Sequence, residues 1–414
     1  MSHSSPGANA STAPVITVTD AREAAETDTV LAVPDTVDII SGLEPESATF
    51  LLRHHRAKIA RATQLSEAAL FDASLPGISL AERFFAAWYA AFLTEVPAVT
   101  EHYLQRLIAL GDSDAKDAVS RLTLRTSGAE TAVASTRLSA IAAHTRLLTL
   151  HLVRAEATDV NALADAGLTT FAIVVLSQLV AFVSYQTRLV AMLRAMHQSA
   201  NGLASGTGQV SGESIALDDD AALIESKTYT FDVLGWQAWR NVVTLDDATT
   251  EQIDVLTESH PKAKTSDYYL LLVHAPEILR QRSAVFNAIM YQPGGLARAE
   301  RELGATVVSR INGCVYCASV HAQRFEQLAK RRDSIEQVFA NPATAGVSPR
   351  EQALIRFSID LTRAPSAMGS VDILALRTAG LNDAEILDLT HSIAIFAWAN
   401  RLMLTLGEPV FPPA

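Results

Sequence analysis

The chain holds only two cysteines among 414 residues, and they stand three apart as Cys314 and Cys317. His321 follows the second thiol by four positions, and Glu302 precedes the first by twelve. Residues three and four apart share a helix face, so the two sulfurs and the imidazole can meet on one side of a helix. A thiol pair at that spacing can close a disulfide, and the imidazole can act as a base or as an imidazolium partner for a thiolate. The chemistry such a set suits is attack of a thiolate on a peroxide O–O bond. The resulting sulfenic acid condenses with the neighbouring thiol, and an external dithiol restores the pair by exchange. A general acid must protonate the departing oxygen, a role open to His321 with Glu302 orienting it directly or through water.

Asn312-Gly313 breaks the apolar pattern before Cys314, which predicts Asn312 as the N-cap of a helix that carries both thiols in its first turns. Unpaired N–H groups and the positive dipole end would favour thiolate there. Glu302 falls on a preceding helix expected over Arg298 to Arg310. Other readings of the motif remain. Cys-x-x-Cys-x-x-x-His can supply three zinc ligands, although no fourth stands nearby at the usual spacing. Two inert core cysteines are a further alternative. A thioredoxin-type site needs a βαβ setting that this helical surrounding lacks. His391 reads as a satisfied core histidine, and Phe396 and Trp398 beside it read as core.

The elements that must hold these residues are helical almost throughout. Apolar residues make up 49% of the chain and charged ones 19%, a globular balance, and glycine (19) and proline (15) are sparse. Apolar spacings of three and four predict helices over Ala48–Thr63, Ser79–Leu93, Val99–Leu110, Glu130–Leu152, Thr169–Met196 and Ala384–Leu406. Ser79 with Glu82 has the form of a capping box. Almost no sheet is expected. The net charge of −12 without a basic stripe argues against a nucleic-acid partner. No secretory signal opens the sequence. The apolar run Phe171–Val183 is too short to span a bilayer, so it reads as a core helix in a cytoplasmic protein.

Residues 1–33 read as a disordered leader, 34–197 as one helical domain, 198–228 as a Gly/Ser-rich then acidic flexible linker, and 229–414 as a second helical domain. The two halves overlay. At an offset of 219, His55 meets His274, Ile59 meets Ile278, Arg61 meets Arg280 and His102 meets His321. At 213, Ala166-Gly167-Leu168 meets Ala379-Gly380-Leu381, and Arg188-Leu189 meets Arg401-Leu402. At the offset of 219, Glu95 and Ala98 take the places of Cys314 and Cys317, and Arg83 takes that of Glu302. The first half therefore repeats the fold without the thiols.

Glu302, Cys314, Cys317 and His321 together resemble the active-site motif of the alkylhydroperoxidase D-like family within the carboxymuconolactone decarboxylase superfamily. The flanking segments from His274, from Pro293 and from Ala379 are similar to the same family. The likeness covers about 230–410, with 35–197 as a weak cysteine-free second copy. It implies an all-α fold of two tandem alkylhydroperoxidase D-like helical domains, assembling as a homo-oligomer (trimer or dimer). It also implies hydroperoxide reduction with no bound cofactor, recharged by an external dithiol such as a lipoyl group on a carrier protein. By that likeness Cys317 is the peroxidatic thiol, Cys314 the more exposed resolving one, and His321 with Glu302 the proton relay. Tyr316 stands where well-characterised members carry a histidine, and it donates a hydrogen bond without shuttling protons near neutral pH. The rival expectations are a non-redox decarboxylase- or isomerase-like enzyme and a zinc-binding scaffold.

Overall fold

The computed structural model describes residues 34–123, 136–202 and 215–413. Among these residues nineteen α-helices and one two-stranded sheet form an all-α fold. The first half holds α1 (Thr36–Ser41), α2 (Ala48–His54), α3 (Ala57–Leu70), α4 (Leu80–Leu93), α5 (Pro97–Leu110), α6 (Ser113–Thr123), α7 (Thr136–Leu150), α8 (Ala157–Asp165) and α9 (Thr170–Ala200). Next come α10 (Ile215–Glu225) and β1 (Gly235–Ala238). The second half continues with α11 (Thr250–Ser259), α12 (Asp267–Leu272), α13 (Pro276–Tyr291), α14 (Arg298–Ile311), α15 (Val315–Ala329) and α16 (Asp333–Ala340). It ends with α17 (Pro349–Arg363), α18 (Ser370–Thr378), α19 (Asp383–Thr405) and β2 (Gly407–Val410), which pairs antiparallel with β1.

The element order repeats, α1 to α9 answering α11 to α19. Side-chain bonds repeat with it. Arg83 donates to Leu70 O (2.6 Å) as Arg301 donates to Ile289 O (2.7 Å). Arg137 ties Glu82 to the Gly167 carbonyl, and Arg350 ties Glu300 to that of Gly380. Leu80 and Arg298 open the equivalent helices α4 and α14, so the offset across the site is 218 rather than 219. This corrects the sequence overlay by one residue. Arg83 is the counterpart of Arg301, not of Glu302, and His321 corresponds to Tyr103, not to His102. Glu95 and Gly313 confirm the register, since both adopt left-handed backbone before the paired helices (φ 55° and 74°).

The halves are interlocked. α9 lies along α19 and α3 along α13, each element meeting its own counterpart as at a two-fold interface. Trp398 of α19 packs edge-on to Phe182 of α9 (5.3 Å) and donates its Nε1–H to Gln178 Oε1 (2.8 Å). α9 is 31 residues long, enough by length and composition to cross a membrane, yet 89% of its most apolar window is buried inside the protein. It is a core helix because the other half covers it, not because it is short.

Several expectations change locally. The helix expected over Ala48–Thr63 breaks at His55–Arg56 into α2 and α3, while Ser79 caps α4 in a box with Glu82. The leader, the start of the helix expected from Glu130 and the Gly/Ser-rich part of the linker (203–214) lie outside the described residues. The acidic part of that linker is α10, not a flexible strap. Its buried Asp220 accepts from Arg154 and His151 of the first half, and Glu225 accepts from Arg310 of the second (2.6 Å). Ion pairs at its middle and its C-terminal end tie this helix to both halves.

A buried cross-half ion pair sets the turn that leads into the site. Arg56 donates from Nε and Nη2 to both oxygens of Asp388 (2.9 and 2.6 Å) and from Nη2 to Gly294 O (2.9 Å). Removing one partner of a buried pair leaves an uncompensated charge, so Arg56→Met is expected to cost about 3 kcal/mol. Urea unfolding should still show one transition; two separated transitions would contradict the interlocking of the halves. Gly313 makes the turn between α14 and α15 at φ +74°, and a Cβ there would lie 2.5 Å from Val153 Cγ2. Gly313→Ala should destabilise by roughly 1–3 kcal/mol, with partial recovery in the double variant with Val153→Ala. An unchanged denaturation midpoint would refute this account of the turn.

Candidate functional site

Three devices place Glu302. Arg301, its neighbour on α14, anchors the preceding connection through Ile289 O (2.7 Å), Leu296 O (3.0 Å) and Gln292 O (3.0 Å). Ser392 of α19 donates to Arg301 O (2.8 Å), locking α14 to the long helix. Asn312 closes α14 as its C-cap and donates to Asn400 Oδ1 on α19 (3.0 Å). Asn312 is thus not the N-cap of α15. Cys314 is, with φ −82° and ψ 88°, because Gly313 turns the chain one residue later than the sequence suggests.

The expected residues meet in two pairs, Cys314 with Cys317 and His321 with Glu302, and Cys317 stands one helical turn before His321 on α15. His321 Nδ1 meets Glu302 Oε2 at 2.5 Å, and Arg298 Nε donates to the other carboxylate oxygen at 3.3 Å. Glu302 is 1% exposed, so its charge is held among fixed donors rather than water. With Nδ1 held by the carboxylate, Nε2 is the nitrogen left for proton exchange. The ring of Phe396 packs edge-on to His321 at 4.3 Å, so this residue lines the site rather than merely filling the core.

Both cysteines are free thiols, Cys314 at 1% exposure and Cys317 at 4%. The expectation that Cys314 is the more exposed is therefore not met: as the helix cap it sits beneath the turn. Burial first, and then the neighbouring Cys317 sulfur, push the Cys314 thiol well above its ordinary range, while the Cys317 backbone N–H works the other way. Burial and the facing sulfurs push the Tyr316 hydroxyl up to about 12, so it stays a phenol and a donor. Among the described residues no three His, Cys, Asp or Glu side chains assemble as a metal-ligand set.

In the first half the equivalent positions are Phe84, Val96, Val99 and Tyr103, all buried. Phe71 stacks on Phe84 (4.5 Å), and the Tyr103 hydroxyl donates to Gln186 Oε1 (2.5 Å). A carboxylate is present there too, but it comes from α3. Glu67 accepts from Arg106 (3.0 Å) and Gln186 Nε2 (3.3 Å), a network the sequence did not signal because no motif spacing joins its members.

His391 is buried as expected, and burial drives its pKa to about 3. It is not satisfied, however: neither ring nitrogen has a partner among the described residues. Sequence reasoning also missed Tyr268 of α12, which lies within electrostatic reach of both thiols, and Arg282 of α13, whose guanidinium lies 5.3 Å from the Tyr268 ring. Neither belongs to a spaced motif.

Residues 276–359 match the model of the carboxymuconolactone decarboxylase family. No curated protein matches the chain. Among solved structures, the alkylhydroperoxidase core of an uncharacterised peroxidase-related protein from Ralstonia eutropha JMP134 is 27% identical. That match covers 41% of this chain and 88% of the other, with a TM-score of 0.36. An uncharacterised peroxidase-related protein from Silicibacter sp. TM1040 is 25% identical over 41% of this chain and 93% of its own, with a TM-score of 0.34. The family match falls on the half with the thiols: residues 276–359, which hold Glu302, both cysteines and His321, are the ones similar to the carboxymuconolactone decarboxylase family.

Proposed function

We propose that the second half is a thiol-dependent peroxidase that reduces hydroperoxides through Cys317 and Cys314. The observation that carries this reading is the 2.5 Å contact tying His321 to the buried carboxylate of Glu302 beside the only two thiols of the chain. The Cys317 thiolate attacks the distal peroxide oxygen, the O–O bond breaks, and the alkoxide leaves as an alcohol with a proton from His321. Cys317 is now a sulfenic acid. Cys314, deprotonated as it attacks, displaces the sulfenic hydroxyl as water and closes the disulfide. An external dithiol, such as a lipoyl group on a carrier protein, returns two electrons by exchange and becomes a disulfide itself. The sum is one hydroperoxide and one dithiol converted to alcohol, water and disulfide.

Tyr316 in this scheme donates a hydrogen bond and moves no proton. The first half, its thiol positions filled by apolar side chains, serves assembly and the shape of the entrance. A homo-oligomer of such a two-half chain would reproduce an assembly of twice as many single-domain subunits.

Treatment with cumene hydroperoxide should form the Cys314–Cys317 disulfide, read by mass spectrometry of the peptide that spans both. Cys317→Ser should abolish peroxide-dependent dithiol consumption. Cys314→Ser should stop at one equivalent of sulfenic acid, trapped with dimedone. Absence of disulfide in the wild type would sink the proposal and favour a non-redox enzyme. Glu302→Gln leaves His321 without its anionic partner and should slow the peroxide step by about 100-fold. Stopped-flow oxidation kinetics measure this, and a wild-type rate would remove the dyad from the mechanism.

A further inference from the structure

Arg282 of α13 is a buried cation without a counter-charge. It is 3% exposed, its Nε is buried without a partner, and among the described residues its guanidinium makes no hydrogen bond or ion pair. The other buried arginines differ. Arg53 is paired with Asp35 and Asp38, Arg56 with Asp388 and Arg310 with Glu225, while Arg83, Arg188, Arg301 and Arg401 donate to backbone carbonyls. A guanidinium so largely buried, with five donors and no acceptor in the protein, calls for an anion.

Its position says which anion. The guanidinium lies 5.3 Å from the ring centre of Tyr268 and 5.9 Å from that of Phe286. Phe286 packs on Phe396 (5.9 Å), and Phe396 packs on His321 (4.3 Å). Tyr268 is 3% exposed, its hydroxyl has no partner, and it lies within electrostatic reach of Cys317 and Cys314. The cation is thus joined to the imidazole through the rings of Phe286 and Phe396, and to the thiols through Tyr268. The thiol-free half has Thr63 at the place of Arg282, bonded to the Tyr185 hydroxyl (2.9 Å), and Thr49 at that of Tyr268. The copy that lacks the thiols lacks the cation.

We propose that Arg282, with the Tyr268 hydroxyl, anchors the carboxylate of the substrate, which makes the preferred substrate of the thiol site an organic hydroperoxide bearing a carboxylate. The planar guanidinium matches a carboxylate in two parallel hydrogen bonds, and the water-poor surround strengthens them. Phe286 and Phe396 supply the bed for the organic body between the charged end and the peroxide. A small hydrated peroxide would use neither feature. This inference rests on the peroxidase reading for its chemistry, but the anion site can be tested without it.

The probes are cumene hydroperoxide carrying a para-carboxylate, the methyl ester of that compound, and cumene hydroperoxide itself. In the wild type the acid should form the Cys314–Cys317 disulfide about tenfold or more faster than the ester, the size expected of one charge-assisted hydrogen-bond pair. Arg282→Gln should abolish that preference and Arg282→Lys should restore part of it, while cumene hydroperoxide itself changes by no more than about twofold. Equal rates for acid and ester in the wild type would overturn the proposal without need of any variant. So would an equal slowing of all three probes by Arg282→Gln, which would mean that Arg282 serves the thiolate. Should no hydroperoxide form the disulfide, the peroxidase reading fails, and the anion site is judged by calorimetry alone. For this, 4-(2-hydroxypropan-2-yl)benzoate is titrated into the Cys314→Ser/Cys317→Ser protein. Binding that is lost with Arg282→Gln supports the site; no binding overturns it.

Discussion

Two buried arginines hold the molecule in its one arrangement. Arg188 of α9 donates to Thr362 O at the end of α17 (2.6 Å), and Arg401 of α19 donates to Thr149 O at the end of α7 (3.1 Å). Each crosses into the other half, and each repeats the other's bond to its own helix, to Ser184 O and Ala397 O (both 2.9 Å). Burial lowers both, Arg188 to about 10, so these cations sit where only correctly placed carbonyls stand in for water. A slip of α9 against α19 would strand both at once. The reciprocal pair therefore specifies the register of the halves more than it adds to their stability. Once α19 is fixed, Asp388, Ser392, Phe396 and Asn400 are fixed, and these residues set the turn before α14, α14 itself, the face of His321 and the end of α14.

Duplication separates two demands that conflict in a single copy. A buried Glu302 held by His321 costs stability that apolar packing would have contributed. The first half has taken the apolar solution at the same positions. Phe84, Val96 and Val99 each bury a side chain worth about 1.5–3 kcal/mol, and Phe84 replaces a carboxylate. The two copies share one core through α9 and α19, so stability gained in the first is available to the second. A functional site and its stabilising counterpart thus lie in one cooperative unit.

The helices were legible because amphipathic periodicity and the Ser79–Glu82 box act within a few residues. The repeat was legible for the same reason, down to Arg188 and Arg401. The error of one residue at the site has a local cause, since the stretch from Ile289 to Arg298 is one residue shorter than its equivalent from Leu70 to Leu80 and helical sequences tolerate either register. The shift mattered little for the cysteines and much for the counterparts, turning Glu95, Ala98 and His102 into Val96, Val99 and Tyr103. α10 was read as linker because Asp220 and Glu225 look like solvent-facing acids until their arginine partners are seen across the chain. Arg282 and Tyr268 gave no signal at all. Their meaning comes from missing partners, which only a folded chain can reveal.

Proton traffic at the thiols is confined by what surrounds them. On the peroxidase reading two phenols, Tyr316 and Tyr268, face the sulfurs, and burial raises both. They donate hydrogen bonds at neutral pH but cannot accept or release protons there. A buried Cys314 that holds its proton tightly attacks only when something removes that proton, and the phenols cannot. The side chain left for that role is the His321 ring, held through Nδ1 by Glu302. It then acts twice, giving a proton to the departing alkoxide and later passing the Cys314 proton to the sulfenic hydroxyl, which leaves as water. The carboxyl of Glu302, buried and bonded to Arg298, holds the ring in place for both transfers, and the proton spent on the alkoxide returns with the external dithiol that reduces the disulfide.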